Sequence, residues 1–378
     1  MIGGIAAFLA IIFFVMAHEA GHFIAAKATG MKATEFFFGF GPRLFSFRRG
    51  ETEYGVKALP FGGYVRILGM NSLEDVDPAD AGRAYRDKKF WQKSVAVLSG
   101  VAMNFLIAYV MFFGVIVAEG VPQTASDGLP VASTTLDQVL LELDDGSPSP
   151  ASEAGLQRGD RIVELDGRPI TEWDEAASAI EANPGETVEI VVMRDGAEVT
   201  LTAALASRTE EGKTVGYLGV APEIAFRSVG VFEAMGLAGE AFGDAIGATF
   251  DFLGRLIQPA SLARLGGALV GNTDIPDEIR PVSPIGMVNI GTQAESLGIA
   301  NLLWLLASVN VVLGTLNVLP LYPLDGGHFA VAVYEKLSGR VADVRKLAPV
   351  AAVVIALVAF VGLVGVVLDV IDPIRLPG

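Results

Sequence analysis

The sequence contains no cysteine, and only three of its 378 residues are histidine. The lack of cysteine excludes disulfide frameworks, thiol catalysis and cysteine-rich zinc sites, but a metal held by histidine and carboxylate side chains stays open. Charged residues are scarce at 19%, whereas 52% of the residues are hydrophobic. This composition argues against disorder and against an ordinary soluble domain. The net charge of −16 argues against a nucleic-acid partner, because phosphate binding needs clustered lysine and arginine.

Four stretches lack charge over about the length, roughly 20 residues, that a helix needs to cross the core of a bilayer. The first runs from Met1 to Ala17 and stays apolar, apart from His18, Glu19 and His22, up to Lys27. The others lie between residues 93 and 119, 295 and 325, and 346 and 369. The first has neither a basic start nor a small-residue cleavage site, so we interpret it as a retained membrane helix rather than a signal peptide. We therefore expect a polytopic α-helical membrane protein with about four transmembrane helices. Four buried helices of a large soluble core are the alternative.

The charges that remain are distributed unevenly between the connecting regions. Residues 27–93 contain 12 Lys and Arg against 8 Asp and Glu, whereas residues 127–223 contain 6 against 20. Because loops rich in Lys and Arg stay on the cytoplasmic side, the first region is expected in the cytoplasm and the second outside it. With four crossings, both chain termini are then extracytoplasmic.

Residues 120–225 have the composition of a soluble insert. Three strands and a helix are predicted at residues 162–165, 188–192, 198–205 and 173–182. The pair Asp195-Gly196 predicts a hairpin turn between the last two strands. Residues 152–170 resemble a PDZ domain of the circularly permuted bacterial kind, which implies that an extended peptide binds along a sheet edge. A small α+β domain without a ligand is the alternative.

Residues 226–298 are weakly amphipathic, with charges scattered through the apolar run. Phe242, Phe250 and Phe252 supply apolar surface, while Glu240 and Asp244 interrupt it. We expect an extracytoplasmic helical region that lies on the membrane surface, and a fifth span is the alternative.

The first apolar stretch contains His18-Glu19-Ala20-Gly21-His22. Positions i and i+4 share one face of a helix, so both imidazoles can reach one metal ion. Glu19 points to the side of that face and can act on a water as general base. Two packed histidines that carry the pattern by accident are the alternative. A glutamate inside an apolar span costs about 2.5–3.5 kcal/mol, which favours a functional site.

A third protein ligand has two candidates at the end of the third stretch, Asp325 and His328. Imidazole is the commonest metal ligand, which favours His328. Asp325 directly closes the apolar run, and the nearest Lys or Arg that follows it is Lys336. A metal ion would supply the missing positive charge, which favours Asp325 modestly, and helix packing alone does not decide between the two.

With these motifs, nearly the whole chain resembles the site-2 protease family of intramembrane zinc metalloproteases, of the regulator of sigma-E protease type. His18-Glu19-x-x-His22 matches its zinc and general-base motif, and Asn317-x-x-Pro320-x-x-x-Leu324-Asp325-Gly326 matches its second motif. The resemblance implies Zn²⁺ on His18, His22 and Asp325, with Glu19 as the catalytic base. It also implies a site for substrate binding formed by Asn317, Pro320, Gly62, Gly63, Tyr64 and Val65.

Further matches are Gly39-Phe-Gly-Pro42, Leu59 to Arg66 and Ser283-Pro-Ile-Gly286. Residues 35–70 are similar to the family's membrane-reentrant β element, whose strand edge can pair with an unwound substrate. Two features depart from the family. The second helix has Gly100 and Asn104 but no proline between them, and there is one PDZ domain where well-known relatives have two.

The resemblance implies an enzyme of the bacterial cytoplasmic membrane that cleaves single-span membrane proteins, such as anti-sigma factors, or remnant signal peptides. A site-1 protease would cut the same substrate first. We expect four parts, at residues 1–119, 120–225, 226–298 and 299–378. The active site would lie toward the cytoplasm, between the first and third spans. The alternatives are a non-catalytic scaffold that uses its PDZ domain and a membrane metal carrier.

Overall fold

The computed structural model describes residues 2–71, 74–123, 131–143, 146–210 and 213–374. The helices, in chain order, are α1 Ile2–Ala28, α2 Phe90–Glu119, α3 Pro150–Ala154, α4 Trp173–Glu181, α5 Val231–Leu256, α6 Pro259–Ala268, α7 Pro284–Ser296, α8 Ile299–Val318, α9 Asp325–Ser338 and α10 Ala348–Ile371. The strands are β1 Ala33–Arg49, β2 Thr52–Ile67, β3 Val121–Pro122, β4 Ala132–Val139, β5 Arg161–Leu165, β6 Arg168–Pro169, β7 Thr187–Arg194, β8 Ala197–Ala204, β9 Ala206–Glu210, β10 Lys213–Tyr217, β11 Val220–Ile224 and β12 Phe226–Arg227.

The chain folds as two compact units. The first contains the described parts of Met1–Ala118 and Val231–Pro377, and the second is Glu119–Gly230. In the described part of the chain, α1, α2, α8 and the segment Arg345–Ile371, which includes α10, are long and apolar enough to cross a membrane. These four helices correspond to the four charge-free stretches of the sequence.

The third charge-free stretch does not form one continuous helix. Helix α8 ends at Val318, and α9 begins only at Asp325. Pro320 and Pro323 stand in the interval, and proline cannot continue a helix because it lacks the backbone N–H. This break places Asp325 in the first turn of a new helix, where the dipole of α9 favours a carboxylate.

Strands β1 and β2 form a long antiparallel hairpin between the first two apolar helices. Near its turn, Leu44, Phe45 and Phe47 are more than half exposed. A soluble protein rarely leaves such a cluster of apolar side chains open, so it indicates a surface that another apolar phase covers. The hairpin occupies the region predicted as the reentrant β element, and its insertion into the membrane remains a prediction.

The second unit contains a sheet with strand order β11-β4-β5-β7-β8. The predicted strands and helix of this insert are confirmed, because β5, β7, β8 and α4 occupy those segments. Asp195 and Gly196 both have positive φ, at 51° and 82°. This backbone is that of a type I′ turn, in agreement with the hairpin predicted from the sequence.

The region after the insert contains α5, α6 and α7. Helix α5 is not among the described helices that are apolar enough to span a membrane, so the fifth span has no support, and the surface-lying interpretation remains a prediction. Helix α7 packs closely on α1. A Cβ at Gly4 would approach the Val288 carbonyl oxygen to 2.7 Å, and only glycine permits this crossing.

Candidate metal centre

Helix α1 carries the two histidines of the predicted zinc motif on one face. His18 and His22 are only 7% and 6% exposed. Their Nε2 atoms lie 3.1 Å apart, as expected for side chains one helical turn from each other.

Asp325, at the start of α9, brings a carboxylate to the same point. Its Oδ2 lies 3.0 Å from Nε2 of His18 and 3.2 Å from Nε2 of His22. Among the described residues, these three side chains form a group whose ligand atoms lie within 4.8 Å of one another. The fold thus joins the first apolar helix to a residue 303 positions downstream of His22.

His328, the other candidate ligand, lies outside this group. Its ring packs on Tyr322, with the ring centroids 4.8 Å apart. Burial lowers the pKa of His328, so the ring is neutral at physiological pH. The geometry therefore favours Asp325 over His328 as the third ligand.

The donor set fits a divalent cation. Nδ1 of His22 donates a hydrogen bond to the Ala96 carbonyl oxygen at 2.8 Å, so in the neutral ring the lone pair is on Nε2. A carbonyl that fixes the outer nitrogen of a ligating histidine is typical of zinc sites. With the His18 ring in the same tautomer, three atoms that carry lone pairs face one another at 3.0–3.2 Å. Zinc–ligand bonds of about 2.0–2.1 Å in a tetrahedron put ligands roughly 3.3 Å apart, close to this separation.

Two glycines let α2 approach the histidines. A Cβ at Gly21 would lie 2.5 Å from the Ser99 carbonyl oxygen, and one at Gly100 would lie 2.4 Å from Nε2 of His22. Both distances are too short for any side chain, so the absence of a Cβ at both positions allows α1 and α2 to pack around the histidine rings.

Glu19 is next to His18 in sequence, but its carboxylate contacts strand β2 and is not one of the three ligand atoms of His18, His22 and Asp325. Its Oε2 accepts a hydrogen bond from the backbone N–H of Val65 on β2, at 2.9 Å. Glu19 also borders a cavity of about 190 Å³. The residues that line this cavity are Val15, His18, Glu19, Asn104, Leu313, Asn317, Pro323, Leu324 and Asp325. The cavity is large enough for water and for part of a peptide backbone.

The residues predicted to bind substrate fall in different places. Asn317 lines the cavity beside Glu19. A Cβ at Gly63 would lie 3.6 Å from Cγ of Glu19, so this part of β2 runs directly past the base. Pro320 instead lines a second cavity of about 360 Å³, together with residues of α9 and the segment that leads into α10.

Gly62 and Tyr64 have local roles in the hairpin. Gly62 has a φ of +78°, which only glycine adopts readily. Tyr64 stacks on Phe37 and Phe40, and its hydroxyl donates to the Glu35 carboxylate.

Sequence reasoning missed two contacts of the site. The Ala96 carbonyl that orients His22 and the Val65 amide that holds Glu19 are both backbone groups. A backbone group leaves no signature in residue type, so no sequence signal points to either contact. Gly100 and Asn104 do carry a signal, because they stand four positions apart in the charge-free part of α2, between Lys93 and Glu119.

Comparison with known proteins identifies relatives over most of the chain. The model of the family described as Peptidase family M50 matches residues 6–361. The protein named Zinc metalloprotease Rip1 from Mycobacterium bovis (strain BCG / Pasteur 1173P2) is 35% identical, over 89% of this chain and 86% of that protein. The protein of the same name from Mycolicibacterium smegmatis is also 35% identical, with the same shares of both chains.

Among solved structures, one match is the PDZ domain of the SdrC-like protein from Listeria innocua. It is 20% identical and covers 26% of this chain and 99% of that domain, with a TM-score of 0.21. A score at this level does not decide the fold of the insert, whose PDZ assignment remains a prediction.

Proposed function

The chain belongs to peptidase family M50, and we propose that it cleaves the transmembrane segments of single-span membrane proteins. It is a multi-pass membrane zinc metalloprotease. The observation that carries the proposal is the meeting of His18, His22 and Asp325 beside Glu19 within helices apolar enough to span a bilayer. Family membership also favours the protease over a scaffold or a metal carrier.

In this proposal, His18, His22 and Asp325 hold the zinc ion. When bound, zinc supplies Lewis acidity, which makes water more acidic and polarises a carbonyl group. The His22 ring is held in its ligating tautomer by the Ala96 carbonyl. Asp325 supplies the negative charge that a site of two neutral imidazoles lacks.

Glu19 moves the proton. The Val65 N–H binds Oε2, and Oε1, to which no described residue donates, can accept a proton from the attacking water. The same carboxyl group then returns the proton to the leaving nitrogen as the peptide bond breaks. The cavity that Glu19 shares with Asn317 is where the scissile bond would sit, and the Asn317 amide can donate to its carbonyl oxygen.

A transmembrane helix must unwind before water can attack, because its peptide bonds are shielded and hydrogen-bonded. Strand β2 passes Glu19 at Gly63 and Val65, which supports a role in which its neighbourhood receives an extended substrate segment. The insert, as a PDZ domain outside the cytoplasm, would reject substrates that still carry bulky outer domains. Substrates already shortened by a site-1 protease, such as anti-sigma factors, and remnant signal peptides fit this requirement.

The proposed location is the bacterial cytoplasmic membrane. The basic region at residues 27–93 lies in the cytoplasm, while the insert and both termini lie outside it. The active site then lies toward the cytoplasmic side, since the zinc motif occupies the second half of α1.

The test is cleavage of single-span model peptides by the full chain purified in detergent, with and without a chelator, together with metal analysis. We expect chelator-sensitive cleavage and one zinc per chain, by analogy with other single-zinc hydrolytic sites. Glu19→Gln keeps the shape of the side chain but removes the base. The variant should therefore retain zinc, and its cleavage rate should fall by a factor of about 10²–10⁴.

Two outcomes would contradict the proposal. Full cleavage by Glu19→Gln would refute the assigned base. Zinc binding without cleavage of any peptide, together with metal flux across proteoliposomes, would favour the metal carrier instead.

A further inference from the structure

Asn104 is a buried amide in the middle of the apolar helix α2. The residue is only 1% exposed, and its Oδ1 has no hydrogen-bond partner among the described residues. An unpaired amide oxygen in an apolar interior is costly, because the group has lost its water without gaining a partner. The Oδ1 atom can therefore accept a hydrogen bond from a group that enters its surroundings.

The position of Asn104 shows where that bond could form. Asn104 borders the same cavity as Glu19, Asn317 and Asp325. It approaches this cavity from α2, whereas Asn317 approaches it from α8. The cavity beside the proposed base is therefore flanked by two amides on two different helices.

A hydrogen bond between α8 and α2 uses the backbone of Asn104 and not its side chain. Nδ2 of Asn310 on α8 donates instead to the backbone carbonyl oxygen of Asn104, at 2.9 Å. The contact between these helices would persist if residue 104 carried an apolar side chain of similar size. This hydrogen bond between the helices therefore does not require the Asn104 amide.

We propose that the Asn104 side chain binds the main chain of the unwound substrate segment in the cavity that it lines together with Asn317. This inference rests on the proposed function. A peptide segment that leaves its helix inside a bilayer exposes N–H and C=O groups that no water can satisfy. An asparagine amide both donates and accepts, so it can pair with either group of an extended backbone, whatever the side chains of the substrate.

The test compares Asn104→Leu and Asn104→Ser with the wild-type chain, using a single-span model peptide that the wild type cleaves. Leucine is similar in size and removes an unpaired polar group, so the melting temperature should stay the same or rise. Cleavage should weaken, with KM raised about tenfold and kcat changed much less, because the lost bond is made in the bound substrate. Serine keeps a hydroxyl that donates and accepts, and we expect it to restore KM to within about threefold of wild type.

Thr315→Val is the matched control. Thr315 on α8 is likewise buried, with 1% exposure, and its Oγ1 has no hydrogen-bond partner among the described residues. It does not border the cavity, so this variant should leave both KM and zinc content unchanged. Glu19→Gln serves as the inactive reference.

The outcomes separate the inference from the proposed function. If Asn104→Leu cleaves with the wild-type KM, the inference is wrong, although the protease stands. If Asn104→Leu melts at a lower temperature and Thr315→Val does not, Asn104 has a structural role and the inference is again wrong. If the wild-type chain cleaves no peptide at all, the proposed function fails first and the inference falls with it.

Discussion

Gly100 sets the distance between α2 and the two histidine rings. A Cβ on Gly100 would lie 2.4 Å from Nε2 of His22 and 2.8 Å from Cε1 of His18. Because one neighbour is the ring of a proposed ligand, the methyl group of Gly100→Ala must displace the His22 ring or move α2 and its Ala96 carbonyl away from that ring. We expect this substitution to lower zinc affinity by at least about tenfold, a change typical of disturbed support around a metal ligand. Zinc competition with a chelator of known affinity measures it.

The same helix offers a control for this substitution. Gly114 is also helical, and a Cβ there would meet nothing within 4 Å. Gly114→Ala should therefore keep zinc and activity, and stabilise α2 by up to about 1 kcal/mol through helix propensity. Equal zinc affinity in Gly100→Ala and the wild type would show that α2 does not press on the ligands.

At the residue scale, the sequence predicts those positions of the ligand side chains that depend on local spacing. The interval between His18 and His22 places both rings on one helical face, and the structure has them there. The third ligand could not be derived in this way, because Asp325 and His328 lie three residues apart and both follow the same apolar run. Only the fold separates them, with Asp325 at the start of α9 beside the histidines and His328 packed on Tyr322.

The hairpin β1–β2 orients the proposed base as well as lying beside it. The Val65 N–H donates to Oε2 of Glu19, and proline at position 65 would remove this donor. We expect Val65→Pro to retain zinc and to lower kcat by about 10–100-fold, because a free carboxylate spends less time in the productive orientation. Steady-state cleavage of a model peptide and metal analysis on the same preparation measure both quantities.

Val65→Ala separates the amide from the side chain. Alanine keeps the N–H and removes only part of a half-buried apolar contact, so kcat should stay within about twofold of wild type. If proline and alanine lower kcat equally, the side chain of Val65 matters rather than its amide, and β2 does not position the base.

A hairpin whose turn residues favour positive φ was predictable from the sequence. The pair Asp195-Gly196 adopts positive φ and links the two strands that the sequence predicts on either side of it. The packing of α7 on α1 was not predictable, because it depends on Gly3 and Gly4 of one helix meeting the backbone of another almost 290 residues away. Small residues at such a crossing look the same in sequence as small residues that face lipid.

At the scale of the whole molecule, four apolar helices and an uneven charge distribution together imply one orientation. The region that contains the hairpin is basic and the insert is strongly acidic, so the positive-inside rule predicts that they lie on opposite sides of the membrane. The hydropathy pattern predicts the membrane-spanning helices, because an apolar run long enough to cross a bilayer indicates a membrane helix. The hydropathy pattern does not predict which side of the membrane each connecting region occupies, because that depends on charges outside the helices.

The lack of cysteine makes this orientation directly testable, because a single introduced thiol is the only one in the chain. Ala81→Cys places it at an exposed position of the basic region outside the hairpin, and Ser178→Cys places it on an exposed position of α4 in the insert. In cells whose inner membrane is intact, a membrane-impermeant maleimide should label position 178 and spare position 81. After the membrane is opened with detergent, both should react, which shows that each thiol is accessible in itself. Labelling at position 81 in intact cells would reverse the assigned topology and place the zinc motif nearer the outer face.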